Sequence, residues 1–115
     1  MADLQTLSES VGAQLLSRGE WLATAESCTG GWVAQSITAI AGSSAWFDRG
    51  FVTYSNAAKQ EMLGVTEATL ERHGAVSEAT ARAMAQGAIA HSRADWAIAI
   101  TGIAGPGGGS PEKPV

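Results

Sequence analysis

Thr24-Ala25-Glu26-Ser27-Cys28-Thr29-Gly30-Gly31 is the stretch that decides how the 115-residue chain is read. The apolar run Trp21-Leu22-Ala23 leads in, and an apolar series at helical spacing, Trp32, Val33, Ile37 and Ile40, leads out. The residues between are nearly all small or polar, so strand, tight turn and helix start follow one another. Such a junction gathers hydroxyls, a thiol and unpaired backbone N–H groups at one point. The carboxyl end of a strand is where an α/β sheet opens its crevice, and backbone donors there can hold a developing oxyanion. Ser27 is the candidate nucleophile. Ser and Thr are also favoured N-caps, so capping by Ser27 and Thr29 accounts for the same residues without chemistry. Cys28 reads as a small buried residue. If the strand persists through this point, Ser27 and Cys28 point to opposite faces.

Upstream, Leu4, Leu7, Val11, Leu15 and Leu16 predict an amphipathic helix over Leu4–Arg18, closed by Gly19. Trp21 to Ala25 reads as a short buried strand and Gly30 to Ile40 as a helix capped by Thr29. Ala41-Gly42-Ser43-Ser44 is a loop. Trp46 to Tyr54 reads as a strand interrupted by Asp48-Arg49-Gly50. Ser55 or Asn56 caps a short helix to Leu63, and Gly64 ends it. Thr66 to His73 is another short helix, and Ser77 opens a long Ala-rich one to about His91. Asp95 to Ile100 is apolar throughout, as a strand buried on both faces is. Strands separated by helices predict an α/β sheet covered by helices. The four tryptophans, Trp21, Trp32, Trp46 and Trp96, read as core. Residues 101 to 115 hold five glycines and all three prolines without helix or strand pattern. The expectation is one domain, here a fragment of a longer one.

Eleven acids against seven bases give a net charge of −4, which argues against non-specific nucleic-acid binding. The single cysteine excludes an internal disulfide and fits a reducing compartment. No apolar stretch approaches the roughly 20 residues of a membrane span. The N-terminus has no basic region followed by an apolar one, so a soluble cytoplasmic protein is expected. His73 and His91 have no metal-ligand spacing with Cys28 and read as helix-end residues, so no metal is assigned.

In Tyr54-Ser55-Asn56-Ala57-Ala58-Lys59, a cap at Asn56 puts Lys59 in the first turn of a helix. The positive helix end and any burial both lower a lysine pKa there. A lysine so placed can take a proton from a serine. The ordinary fate of lysine, a solvated surface position, remains the alternative. Gly42-Ser43-Ser44 and Thr101-Gly102-Ile103-Ala104-Gly105-Pro106 are glycine-containing turns whose N–H groups can approach an anion. Neither has the pattern of a Walker loop or a dinucleotide fold, so no NTP or NAD cofactor is assigned.

Ala25-Glu26-Ser27-Cys28-Thr29-Gly30-Gly31, Ala41-Gly42-Ser43-Ser44, Tyr54-Ser55-Asn56-x-x-Lys59, Gly74-Ala75-Val76-Ser77 and Thr101-Gly102-Ile103-Ala104-Gly105-Pro106 occur in one order. Together they closely resemble the CinA C-terminal domain family, whose stand-alone members are nicotinamide-nucleotide amidohydrolases (NMN deamidases). The resemblance implies a three-layer α/β/α sandwich with a mostly parallel or mixed sheet, homo-oligomers, and NMN as the small-molecule substrate, with no cofactor. It implies Ser27 as nucleophile, Lys59 as base and Tyr54 as a helper. Thr29, Gly30, Gly31, Gly42, Ser43, Ser44, Asn56, Thr101, Gly102 and Gly105 are the expected substrate-binding positions. Family members continue past Val115 with further strands, a segment carrying an arginine suited to the substrate phosphate, and a final helix. The competing reading is a non-catalytic nucleotide-binding or interaction module.

Overall fold

The computed structural model describes residues 3–114; Met1, Ala2 and Val115 lie outside the described residues. Helix α1 spans Leu4–Arg18, with the Asp3 carboxylate accepting from Thr6 N–H at one end and Gly19 in the left-handed region at the other. Strand β1 spans Leu22–Glu26, α2 Trp32–Thr38 and β2 Phe47–Val52, with a 3₁₀ turn at Ser43–Ala45 before β2. Helices α3 (Asn56–Leu63), α4 (Glu67–His73) and α5 (Glu78–Ala90) precede β3 (Trp96–Ile100). Ser55, Thr66 and Ser77 each cap the helix that follows through a side-chain oxygen.

The three strands are parallel in the order β2-β1-β3, so β1 is central. The connection through α2 leaves β1 on one face, and the one through α3–α5 returns to β3 on the other, as right-handed crossovers running in opposite directions require. The loops at the carboxyl ends of the adjacent strands β1 and β2 therefore diverge and leave a crevice.

Alternation along β1 divides the core. Ala23 and Ala25 face α3–α5 and join Leu63, Val65, Met84 and Ala88. Leu22 faces the other way, with Leu15, Ile37 and Trp46. Small residues on the first face bring α5 close to the sheet, and Gly87 brings it close to α3: a Cβ at Gly87 would run into the Leu63 carbonyl. That contact sets the height of α3, and so of Lys59, one turn upstream.

Two expectations are corrected. The strand β3 is not buried on both faces: Ala97 and Ala99 pack under α5, whereas Trp96 is 51% exposed and Ile98 stands open on the α1–α2 side. Of the four tryptophans only Trp46 is buried; Trp32 is exposed, and Trp21 carries the Arg93 guanidinium at 4.4 Å. Apolar runs do not by themselves reveal which side of a strand a helix covers.

Gly87→Ala is expected to lower stability by about 1–3 kcal/mol through overpacking against backbone. Gly107→Ala, which meets nothing within 4 Å, is expected to stay within about 0.5 kcal/mol. Denaturant midpoints at constant m-value check this; equal midpoints would contradict the α3–α5 contact.

Candidate functional site

Period two decides which way the residues at the end of β1 point. Positions 23, 25 and 27 share one face and 22, 24 and 26 the other. The main chain is held on both sides at this point: Ser27 N–H donates to Ile100 O at 3.0 Å, and Thr53 N–H donates to Glu26 O at 2.8 Å. Ser27 is thus locked between β2 and β3, with its side chain on the α3 side.

Lys59 meets it there. The cap is Ser55, whose Oγ accepts from Ala58 N–H at 3.0 Å, so Lys59 lies at the end of the first turn of α3. Helical side chains lean toward the N-terminus. The Lys59 stem accordingly runs back under its own helix start, and the residue is 1% exposed. Its Nζ lies 3.0 Å from Ser27 Oγ, 2.9 Å from Thr53 O and 3.1 Å from Tyr54 O. Among the described residues no carboxylate lies within salt-bridge distance of it. Burial holds its pKa below the ordinary 10.5.

Two of the three partners are carbonyls, which only accept. A neutral amine has two N–H groups and one lone pair. As an ammonium Lys59 donates to Ser27 Oγ and to both carbonyls, and Ser27 Oγ donates to Tyr54 O at 3.4 Å. In the neutral form the two carbonyls can take both N–H groups, which turns the lone pair toward Ser27 Oγ. The arrangement sets a serine hydroxyl against a desolvated amine, a geometry in which a serine can be activated.

The turn after Ser27 holds backbone donors. Gly30 N–H closes on Ser27 O at 3.1 Å, and Gly30 and Gly31 take φ values of +61° and +109°. Among the described residues, the N–H groups of Cys28 and Thr29 meet no acceptor. They directly follow Ser27, at a strand-to-helix turn of the kind that can hold an oxyanion. On the opposite face Glu26, 1% exposed, accepts from Thr29 Oγ1 at 2.6 Å, Val33 N–H at 2.9 Å and Ala34 N–H at 2.9 Å. Burial raises its pKa, but these bonds and the Gly31 amide together outweigh it, and the carboxyl sits below its ordinary value. Glu26 takes the capping role that the sequence assigned to Thr29, and α2 accordingly starts at Trp32.

Of the predicted positions, Ser27, Tyr54, Asn56, Lys59, Thr101, Gly102 and Gly105 line one pocket of about 400 Å³ between the carboxyl ends of β1 and β3. Cys28 lines it too. The strand ends at Glu26, so Ser27 and Cys28 do not part to opposite faces, and Cys28 Sγ lies 3.4 Å from where a Cβ of Gly102 would stand. Tyr54 contributes its carbonyl, while the residue is 73% exposed at the mouth. Thr101 Oγ1 donates to Ala75 O at 2.7 Å and ties the glycine-rich loop to the segment before α5.

Thr29, Gly30 and Gly31 adjoin the pocket through the backbone; the Thr29 side chain lies toward α1 and α2. Gly42, Ser43 and Ser44 are not brought to Ser27 within this chain. They precede β2, whose Phe47 pairs with Leu22, so they lie at the amino end of the sheet, about 16 Å along β1 from Ser27. Linear order gave no sign of this, because a parallel crossover returns the chain to the far end of the sheet before the strand begins. The pocket also takes Ala75, Val76 and Ile103, which carry no chemistry the sequence could flag. The Thr53 carbonyl was invisible as well, being backbone.

The profile of the CinA C-terminal domain family matches residues 4–115. Over 114 residues the chain is 64% identical to nicotinamide-nucleotide amidohydrolase PncC of Escherichia coli K12, covering 99% of this chain and 69% of that protein. It is 58% identical over 111 residues to a CinA-like protein of Syntrophobacter fumaroxidans, covering 96% of this chain and 26% of that one. The solved structure of competence/damage inducible protein CihA from Agrobacterium tumefaciens superposes with a TM-score of 0.95 at 56% identity, covering 100% of this chain and 70% of that one. A CinA superfamily protein from Escherichia coli gives 0.93 at 41% identity, covering 99% and 68%.

The depressed Lys59 pKa has a consequence for stability. Between its folded value and the unfolded value near 10.5, the unfolded chain binds the extra proton, so stability rises with pH across that window. Below the window both states are protonated and the cost of burying the ammonium applies in full. Lys59→Met removes this component. The difference in Tm, unsubstituted minus Lys59→Met, is expected to climb between pH 7 and pH 10 in matched thermal melts. A difference independent of pH would contradict a buried, destabilised ammonium.

Proposed function

The chain belongs to the CinA C-terminal domain family, and from that premise we propose that it is an amidohydrolase acting on the carboxamide of nicotinamide mononucleotide. The products are nicotinate mononucleotide and ammonia. One observation carries the reading: Lys59 Nζ, fixed by two carbonyls, has its remaining valence 3.0 Å from Ser27 Oγ. The 64% identity to the Escherichia coli amidohydrolase PncC supports the substrate class.

An amide is a weak electrophile, so the serine must be activated and the oxyanion held. Ser27 Oγ attacks the carboxamide carbon while its proton passes to Lys59. The N–H groups of Cys28 and Thr29 receive the oxyanion; one such donor is worth about 3–4 kcal/mol. The tetrahedral adduct collapses, the C–N bond breaks, and Lys59 returns the proton to the departing nitrogen, which leaves as ammonia. Water, deprotonated by Lys59, then attacks the nicotinoyl–Ser27 ester, and the acid departs as Ser27 regains its proton. Asn56 and the Thr101–Gly105 loop border the rest of the substrate, with Tyr54 at the mouth orienting it. The same reading takes the protein as a cytoplasmic homo-oligomer; the exposed apolar residues Leu7, Trp32 and Trp96 on one side of the chain support assembly.

Ammonia release from NMN tests it. Ser27→Ala is expected to lose about 10³-fold or more in kcat. Lys59→Arg is expected to be as inactive although it keeps the charge, because guanidinium stays protonated. Cys28→Ala removes no reacting atom and falls far less. Near-normal turnover by Lys59→Arg would remove the lysine from proton transfer, and a folded Cys28→Ala weaker than Ser27→Ala would reassign the nucleophile.

A further inference from the structure

Glu26 is a buried carboxylate that the reaction above does not use. Among the described residues no cation lies within salt-bridge distance of it, and its oxygens accept from one hydroxyl and two backbone amides. A charge taken out of water persists only where hydrogen bonds replace its hydration. The donors Glu26 has recruited, Thr29, Val33 and Ala34, all lie within the next eight residues of the chain and bracket the turn between β1 and α2.

That turn is the part of the site the sheet does not hold. The ladder fixes Ser27 through Ile100 O, but it stops there. Cys28 to Gly31 follow with two glycines at positive φ, tied to the chain by Gly30 N–H to Ser27 O and Trp32 N–H to Thr29 O at 3.1 Å each, and not by the ladder. The free N–H groups of Cys28 and Thr29 are carried on it. We infer that Glu26 is a positioning residue: through the Thr29 hydroxyl and the first amides of α2, its carboxylate holds the Cys28–Thr29 donors at the place where the oxyanion forms. The inference rests on the amidohydrolase reading for its substrate, and on geometry alone for its residues. Misplacing catalytic groups by about 1 Å can cost about 10²-fold in rate.

Thr29→Val deletes the hydroxyl and leaves the Val33 and Ala34 bonds to Glu26 in place, so α2 keeps its cap. Glu26→Gln is the second variant, since its amide sets a donor against a donor; its rates are expected to fall in the same direction. Two rates are measured on the full chain: ammonia release from NMN, and phosphonylation of Ser27 by a small alkyl fluorophosphonate, followed by mass. In the latter Ser27 Oγ bonds to phosphorus, fluoride leaves and the hydroxyl proton passes to Lys59. Thr29→Val is expected to lower both kcat and the labelling rate about 10- to 100-fold, with KM within about threefold. Thr29→Ser, which restores the hydroxyl, is expected to recover most of that loss. The pH midpoint of labelling is expected to stay put, because Lys59 remains buried. A folded Thr29→Val that labels at the unsubstituted rate overturns the inference. So does a midpoint that moves toward ordinary lysine, which marks general loosening, and so does an unsubstituted chain whose Ser27 does not label. Labelling without ammonia release fells only the NMN reading, and the variants still decide the role of Glu26.

Discussion

The alternation of side chains at the end of β1 is the constraint on which the site depends. Adjacent residues of a strand point to opposite faces, and here the two are Glu26 and Ser27. One turns to α2 and ends in amide donors; the other turns to α3 and ends at Lys59. A register slip of one residue would send the carboxylate toward the lysine and the hydroxyl toward the helix start. The main-chain bonds of Glu26 O to Thr53 and of Ser27 N–H to Ile100, on the two sides of β1, prevent it.

The two buried ionisable groups are stabilised by opposite means. Glu26 sits among N–H donors that favour its charged form, and its pKa is lowered despite burial. Lys59 sits under the positive end of α3, and its partners do not include a carboxylate. The first group is held ionised and serves as a fixed acceptor. The second is held below its ordinary pKa by burial.

Much of this was legible in the sequence. Helix α1 matches its predicted bounds because spacing and the Gly19 stop agree, and Ser55, Thr66 and Ser77 stand at the starts expected of them. The position of Ser27 at the end of a strand followed from the apolar run before it. Lys59 was ambiguous from local chemistry, because a lysine four residues after a cap is solvated unless something covers it; Gly87 and the close approach of α5 to α3 are tertiary facts. The start of α2 was misplaced because its cap comes from a strand residue. The half-bare β3 was misread because a run such as Trp96-Ala-Ile98-Ala-Ile100 is apolar on both sides whichever side is covered.

Lys59 is oriented by the carbonyls of Thr53 and Tyr54, residues of its own segment. The contact with Thr53 spans six positions, whereas that with Ser27 spans 32. Chain-closure scaling makes the shorter loop easier to close by about 1.5 kcal/mol. The Lys59 amine and the carbonyls that aim it are therefore one contiguous piece, Thr53 to Lys59, which docks against β1 as a unit. In the language of modular assembly, the segment is a self-contained cartridge: its internal geometry is set by seven neighbouring residues, and only its docking partner decides which hydroxyl it serves.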